Sequence, residues 1–389
     1  MASNLTKTTK SVKKFLIYFA IFVIIIIVAD YFTKSYVPIT PPSNGIINSN
    51  YPQPNIAFMQ IPSPQIKNLP LGNSLAKISK NQIKFPDFPP VVNIYKLKPE
   101  QENFYEANRA RTLASLLKLT SGETKTINNI MYFETMEKDR VLSFDKAQRL
   151  WNYRSSNTNL SKLSISQEDT LISSGISFLY QMEINNSDAF QKNVSTCYLT
   201  YLDNQGYYSN NSTNIINSAK LILNKEIDLI KPVQNDLPLL KAPIKRIDYL
   251  DGIVNMTIIN QGKDIATDMI YFNYKVHDYE NTVGIYPIIT VSDAYDKIQN
   301  NQGFLYRLTE VGSNIFNNNP IPTINEFKIN VENTKLIYIE SFDSNNLEPW
   351  TKYLQPFFLF EGQAQSENNN LYSFSFIVPA LNPANYSNL

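Results

Sequence analysis

Residues 15 to 29 read FLIYFAIFVIIIIVA, an unbroken apolar run near the start of a 389-residue chain. At 1.5 Å per residue a helical run of this length covers roughly 22 Å, short of the ~30 Å hydrocarbon layer of a bilayer. Tyr31 and Phe32 extend it past Asp30, and Lys13 and Lys14 can snorkel at the other end. Residues 15–32 are therefore read as a transmembrane anchor. Lys7, Lys10, Lys13 and Lys14 precede it, whereas only Lys34 closely follows. This positive-inside bias makes 1–14 a cytoplasmic tail and places the body outside the cytoplasm. The competing reading is a cleaved signal peptide, whose apolar core has a similar length. Against it, Ile27-Val28-Ala29 is a poor small-residue cleavage site, and no cysteine follows to carry a lipid. Both readings export the body.

Residues 33–90 read as a proline-rich stalk. Between Tyr36 and Pro90 lie half of the 22 prolines, among them Pro38, Pro41, Pro42, Pro62, Pro64, Pro89 and Pro90. That spacing forbids helix and favours extended or polyproline backbone. Apolar pieces such as Ile56-Ala57-Phe58-Met59 and Val91-Val92-Asn93-Ile94-Tyr95 read as strands that dock on the body.

The body is expected to fold as α+β, in tandem units of antiparallel sheet with packed helices, one over 91–235 and one over 236–389. The 24 tyrosines and 22 phenylalanines fit pleated, half-buried surfaces. Residues 101–118 place Phe104, Ala107, Ala110, Leu113, Leu116 and Leu117 at a helical period. Ser166 with Asp169, and Thr290 with Asp293, read as capping boxes that open two further helices. A weaker fourth helix is expected from Ser143 through Ala147 and Leu150. Val254, Met256 and Ile258 alternate with Asn255 and Thr257, and Ile270, Phe272 and Tyr274 alternate with Tyr271 and Asn273. These predict a hairpin with one buried and one wetter face. Residues 335–342, 357–361 and 372–378 predict further strands.

Several stretches carry a resemblance. They are Ala57-Phe58-Met59-Gln60-Ile61-Pro62, Asn93-Ile94-Tyr95-Lys96, the helix leading to Leu116, and Tyr286-Pro287-Ile288 followed by Ser292-Asp293-Ala294-Tyr295. To these are added Tyr353-Leu354-Gln355-Pro356-Phe357-Phe358-Leu359-Phe360-Glu361-Gly362 and Phe376-Ile377-Val378-Pro379-Ala380. Their order and spacing resemble a group of single-anchor exported proteins of small-genome bacteria over most of the chain after Tyr51. More remotely they are similar to the exported regulators YycH and YycI, whose domains relate to PepSY modules. The resemblance implies helices packed on antiparallel sheets and a regulatory, partner-binding role without catalysis. It carries over no site residue.

Net charge is +1, so no field recruits nucleic acid, and no nucleic-acid partner is expected. The single cysteine, Cys197, excludes an internal disulfide, and the single histidine, His277, excludes metal sites built from several imidazoles. Cys197 reads as a buried, inert thiol in a strand. His277 stands beside Asp278 and Glu280, where a general base is conceivable, but a solvated histidine at a strand end is the plainer reading. Glu340 with Asp343, and Asp248 with Asp251, supply carboxylate pairs of the kind that glycan hydrolysis uses. Nothing around them forms a recognisable catalytic motif, and no calcium-loop pattern or glycine-rich phosphate loop occurs. No catalytic, cofactor or metal residue is assigned. The expected protein is a single-pass, extracytoplasmic, non-enzymatic one that binds or regulates another envelope protein, a sensor kinase or a protease-like partner. The alternatives are a wall-acting enzyme and a structural or surface-attachment protein.

Overall fold

From Ile130 to Glu134 buried Met131 and Phe133 alternate with half-exposed Ile130, Tyr132 and Glu134, the two-residue period of a strand with one face covered. Such segments dominate the body. The computed structural model describes residues 50–66, 76–81, 84–98, 104–119, 125–156, 168–182, 189–203, 208, 216–234, 238–259, 264–275, 277–313, 316, 322–340 and 349–387. The expected anchor, 15–32, lies outside these, and among them no helix is long and apolar enough to cross a membrane.

In chain order the first strands are β1 (Ile61–Pro62), β2 (Lys77–Lys80), β3 (Val91–Leu97), β4 (Lys125–Ile127), β5 (Ile130–Glu134), β6 (Arg140–Asp145), β7 (Leu150–Ser155), β8 (Thr196–Thr200) and β9 (Ser218–Leu223). There follow β10 (Lys225–Ile230), β11 (Leu240–Arg246), β12 (Val254–Ile259), β13 (Met269–Lys275), β14 (Tyr279–Pro287), β15 (Phe304–Glu310), β16 (Ile324–Glu340), β17 (Tyr353–Ser366), β18 (Leu371–Pro379) and β19 (Tyr386–Ser387). The helices are α1 (Phe104–Leu116), α2 (Glu168–Gln181), the single turn α3 (Ile265–Asp268) and α4 (Val291–Gln299). The class is α+β, rich in strand.

One sheet has the order β4-β5-β6-β7-β13-β12-β9-β8, every pair antiparallel. Helix α2 lies across it, so close at Gly175 that a Cβ there would stand 2.9 Å from a Leu221 methyl. Phe178 meets Phe272 edge-on at 6.4 Å.

The second sheet has the order β10-β11-β16-β17-β18-β15, with β3 bridging β17 to β14 and β2 lying along β16. It is mixed rather than purely antiparallel, because β11 and β2 both run parallel to β16. Helix α4 packs beside β18; its Thr290–Asp293 capping box is present, and Val291, Ala294, Tyr295 and Ile298 are buried.

Strand pairing runs across residue 235. β12 and β13 join the first sheet, while β3 and β10 belong to the second. The cause is burial. β3 hides Val91, Val92, Ile94 and Tyr95 on both of its faces, so it takes two neighbours, β14 and β17. Asn48–Leu389 accordingly forms one compact unit. The described part of the proline-rich segment packs on it: Ile61 is fully buried in β1, which pairs with β19, and Asn55 bridges to Ile285.

Two local expectations are corrected. The helix near Ser143 is the hairpin β6–β7, because the Asp145 carboxylate accepts from the Ala147 and Gln148 amides and Arg149 adopts a positive φ of 52°. The wetter face of β12–β13 is covered as well, with Asn255, Thr257 and Asn273 all buried. Tyr208 lies over that face and hydrogen-bonds the Thr257 hydroxyl at 2.9 Å.

Candidate functional site

On β11 two consecutive cations, Lys245 and Arg246, point to opposite faces of the second sheet, as strand geometry requires. Their surroundings differ completely, and that difference separates a structural cluster from an open site.

Arg246 is almost wholly buried and pairs with Glu340 Oε2 at 2.9 Å across the parallel β11–β16 register. The other carboxylate oxygen, Glu340 Oε1, accepts from His277 Nδ1 at 2.6 Å and from the Tyr279 hydroxyl at 3.0 Å. Burial by itself raises the Glu340 pKa. The charges of His277 and Arg246, with hydrogen bonds from His277 and Tyr279, outweigh it and hold the carboxyl well below the usual range. Burial and the nearby Glu340 charge push the Tyr279 hydroxyl well up. A neighbouring network joins Arg149 to Glu106 at 3.3 Å and to Asp278 at 2.7 Å.

Lys245 faces the other way, into a cavity of about 740 Å³ between the two sheets. Its floor is the second sheet, where Arg307, Ser375 and Glu361 form one cross-strand row and Lys335 lies opposite Leu359. Its opposite wall is Thr196 and Tyr198 of β8 with Ile222 of β9, and Tyr249, Asp251 and Tyr306 complete the rim. Tyr249 and Tyr306 meet edge-on at 6.2 Å, and the Tyr306 hydroxyl donates to the Arg246 carbonyl at 2.7 Å. Glu361 is held by Lys335 at 3.2 Å, and Asp251 lies 3.8 Å from Lys220. Burial raises the Asp251 carboxyl and lowers the Lys245 ammonium. A second concavity, about 600 Å³, shares Arg307 and Glu361 and continues over Asn81, Lys328 and Ser373.

The residues singled out in the sequence are distributed as follows. His277 is not a solvated strand-end residue: its side chain is 9% exposed and bound to Glu340. The pair Glu340–Asp343 is not seen, since Asp343 lies outside the described residues, and Glu340 instead serves Arg246 and His277. Asp248 caps its own turn by accepting from the Leu250 amide at 2.9 Å, while Asp251 turns into the cavity. Cys197 is buried on β8, facing α2, and burial pushes its thiol up to about 12. Among the described residues no group of three or more His, Cys, Asp or Glu side chains is placed to hold a metal ion. Lys245 and Arg307 were not anticipated. In Lys241-Ala242-Pro243-Ile244-Lys245-Arg246 nothing local marks the lysine, and it is the other sheet that supplies the opposite wall of its cavity.

Compared with models of protein families, the chain matches none, and a search of curated proteins finds no match.

Proposed function

We propose that this chain is a membrane-anchored, extracytoplasmic, non-enzymatic protein that binds or regulates another envelope protein, with the inter-sheet cavity as its receiving site. The anchor at 15–32 and the lysine bias around it support the location. The observation that carries the binding role is the cavity itself: a concavity of ligand-pocket size, flanked by three tyrosines, into which cations and carboxylates of the second sheet and its connections converge, with the first sheet as the opposite wall. The strongest ion cluster, around Glu340, is buried in the fold and supports stability rather than chemistry.

A second reading has one specific observation in its favour. Asp251, whose carboxyl pKa burial raises, and Glu361 line the same cavity, and a pair of carboxyl groups in one cleft is what glycan hydrolysis uses.

A photoreactive benzoylphenylalanine placed at Tyr249 in the full-length protein, in native membranes, separates the two. The binding reading expects a discrete protein adduct on irradiation, absent when the probe replaces Tyr180, which is half exposed on α2. No adduct at 249, together with wall-glycan cleavage that Asp251→Asn abolishes, would replace it with the enzyme.

A further inference from the structure

A cation enclosed by protein without a counter-ion destabilises the fold that holds it, so its retention calls for an anion from outside. Lys245 is partly enclosed in this way, with its side chain reaching the open space of the cavity. It lines the cavity, is otherwise surrounded by the two sheets, and has no ion-pair or hydrogen-bond partner among the described residues. Its neighbour in sequence, Arg246, has Glu340 on the other face of the same sheet. Burial lowers the Lys245 pKa; of the nearby charges only Glu361 raises it, while Lys335 and Arg307 lower it further. Glu361 is already engaged by Lys335. Arg307, from the far edge of the sheet, lines the same cavity, and its Nε is buried without an acceptor among the described residues. Two cations that have no ion pair among the described residues therefore share one pocket, with the rings of Tyr198, Tyr249 and Tyr306 around them and Tyr198 beside Arg307.

We infer that the cavity is a receptor for a small oxyanion, a carboxylate or a phosphate, whose charged group sits between Lys245 and Arg307 while the tyrosines cover its body. The guanidinium fork of Arg307 suits a planar carboxylate or two phosphate oxygens, and the Lys245 ammonium supplies a compact second charge. The volume lies within the ~300–1,000 Å³ of small-ligand sites. The inference rests on reading this cavity as the binding site, and it names the ligand's chemistry.

The test follows thermal unfolding of the full chain in detergent micelles at constant ionic strength, titrated with glutarate, with inorganic phosphate and with neutral glutaramide. A saturable rise in Tm is expected for at least one of the two anions and none for glutaramide; the anion that acts identifies the source. Lys245→Met, Lys245→Gln and Arg307→Met should each weaken the apparent affinity at least tenfold. Lys245→Arg should largely keep it, and Lys138→Met, at the exposed lysine of the β5–β6 turn, which is not part of the cavity lining, should leave it unchanged. Without ligand, Lys245→Met should melt no lower than the parent, because it removes an uncompensated cation. The site is overturned if neither anion gives a saturable shift, or if the shift survives all three neutralising variants. A partner adduct at Tyr249 without any anion response would leave the proposed function standing and remove this inference. An anion response without an adduct would do the reverse.

Discussion

His277 and Glu340 are 63 residues apart in the chain, and their side chains meet at 2.6 Å inside the protein. The contact lies where the chain leaves the first sheet, at the end of β13, and enters the second, at the start of β14. Asp278, the next residue, binds Arg149 at the β6–β7 turn, and Arg149 also reaches Glu106 of α1. The crossover is thus tied on one side to the second sheet through Glu340 and on the other to the first sheet and α1 through Arg149. Consecutive residues of one short connection fix how the two sheets meet, and the cavity lies between those sheets.

Glu340→Gln should therefore destabilise the body by about 3–5 kcal/mol, because it leaves Arg246 charged and buried without its anion. His277→Phe should cost less, since Arg246 and the Tyr279 hydroxyl still serve the carboxylate. Urea unfolding of the two variants checks the order. Equal or negligible losses would show that the cluster is not what pins the crossover.

The same cluster sets a pH dependence. The Glu340 carboxyl is held below its ordinary value in the folded state, so its contribution is fully present above about pH 4.3, the unfolded glutamate value. It is lost progressively as pH falls from there toward the folded value. Urea midpoints of the parent should drop between about pH 5 and pH 3 more steeply than those of Glu340→Gln. Parallel profiles would mean that this carboxyl titrates alike in both states.

Cys197 should react slowly with thiol reagents in the native protein at neutral pH and rapidly in urea. Burial raises its thiol to about 12, so the thiolate is scarce, and the sulfur lies beneath α2. Native labelling as fast as that of an exposed thiol would contradict this placement.

The parts of this fold that could be read in advance are those whose cause is local. The capping box at Thr290 and Asp293 needs only four residues, and the aromatic runs at 357–361 and 372–378 pair with near neighbours in sequence. The hairpin at 140–155 was obscured because Ala147 and Leu150 mimic a helical period, although Leu142, Phe144, Trp151 and Tyr153 alternate as strands do. The interleaving of the sheets depends on pairs such as β3 with β17, which no local pattern encodes. The candidate site was hidden for the same reason. Lys245 is made unusual by Tyr198, 47 positions earlier, and by Arg307, 62 later, not by its own segment.

Location is open to a direct test. With four lysines before the apolar run and one just after it, protease added to spheroplasts should digest the region after Tyr36. Full protection in spheroplasts shown to be accessible would reverse the topology.

Truncation after Glu340 should yield insoluble or protease-sensitive protein, because the lost segment is the middle of the second sheet. β17 pairs along β16 on one side and β18 on the other, and it also carries β3 through Tyr353 and Leu354. Without it, β16 keeps only the short parallel contacts with β11 and β2. Removing β18 strands β15, and removing β19 frees β1. Phe357, Phe358, Phe360, Phe374, Ile377 and Val378 are all fully buried, so their absence uncovers their packing partners on both faces of the sheet. A long apolar strand edge exposed in this way pairs with other chains. A substitution probes the same packing without truncation: a Cβ at Gly362 would meet the Lys328 carbonyl oxygen at 2.1 Å and the Phe374 ring at 2.9 Å. Gly362→Ala should thus cost about 1–3 kcal/mol by overpacking, read as a lower urea midpoint at unchanged slope. A truncated protein that stayed soluble, monomeric and cooperatively folded, or a Gly362→Ala variant as stable as the parent, would show that β17 is not the centre of this sheet.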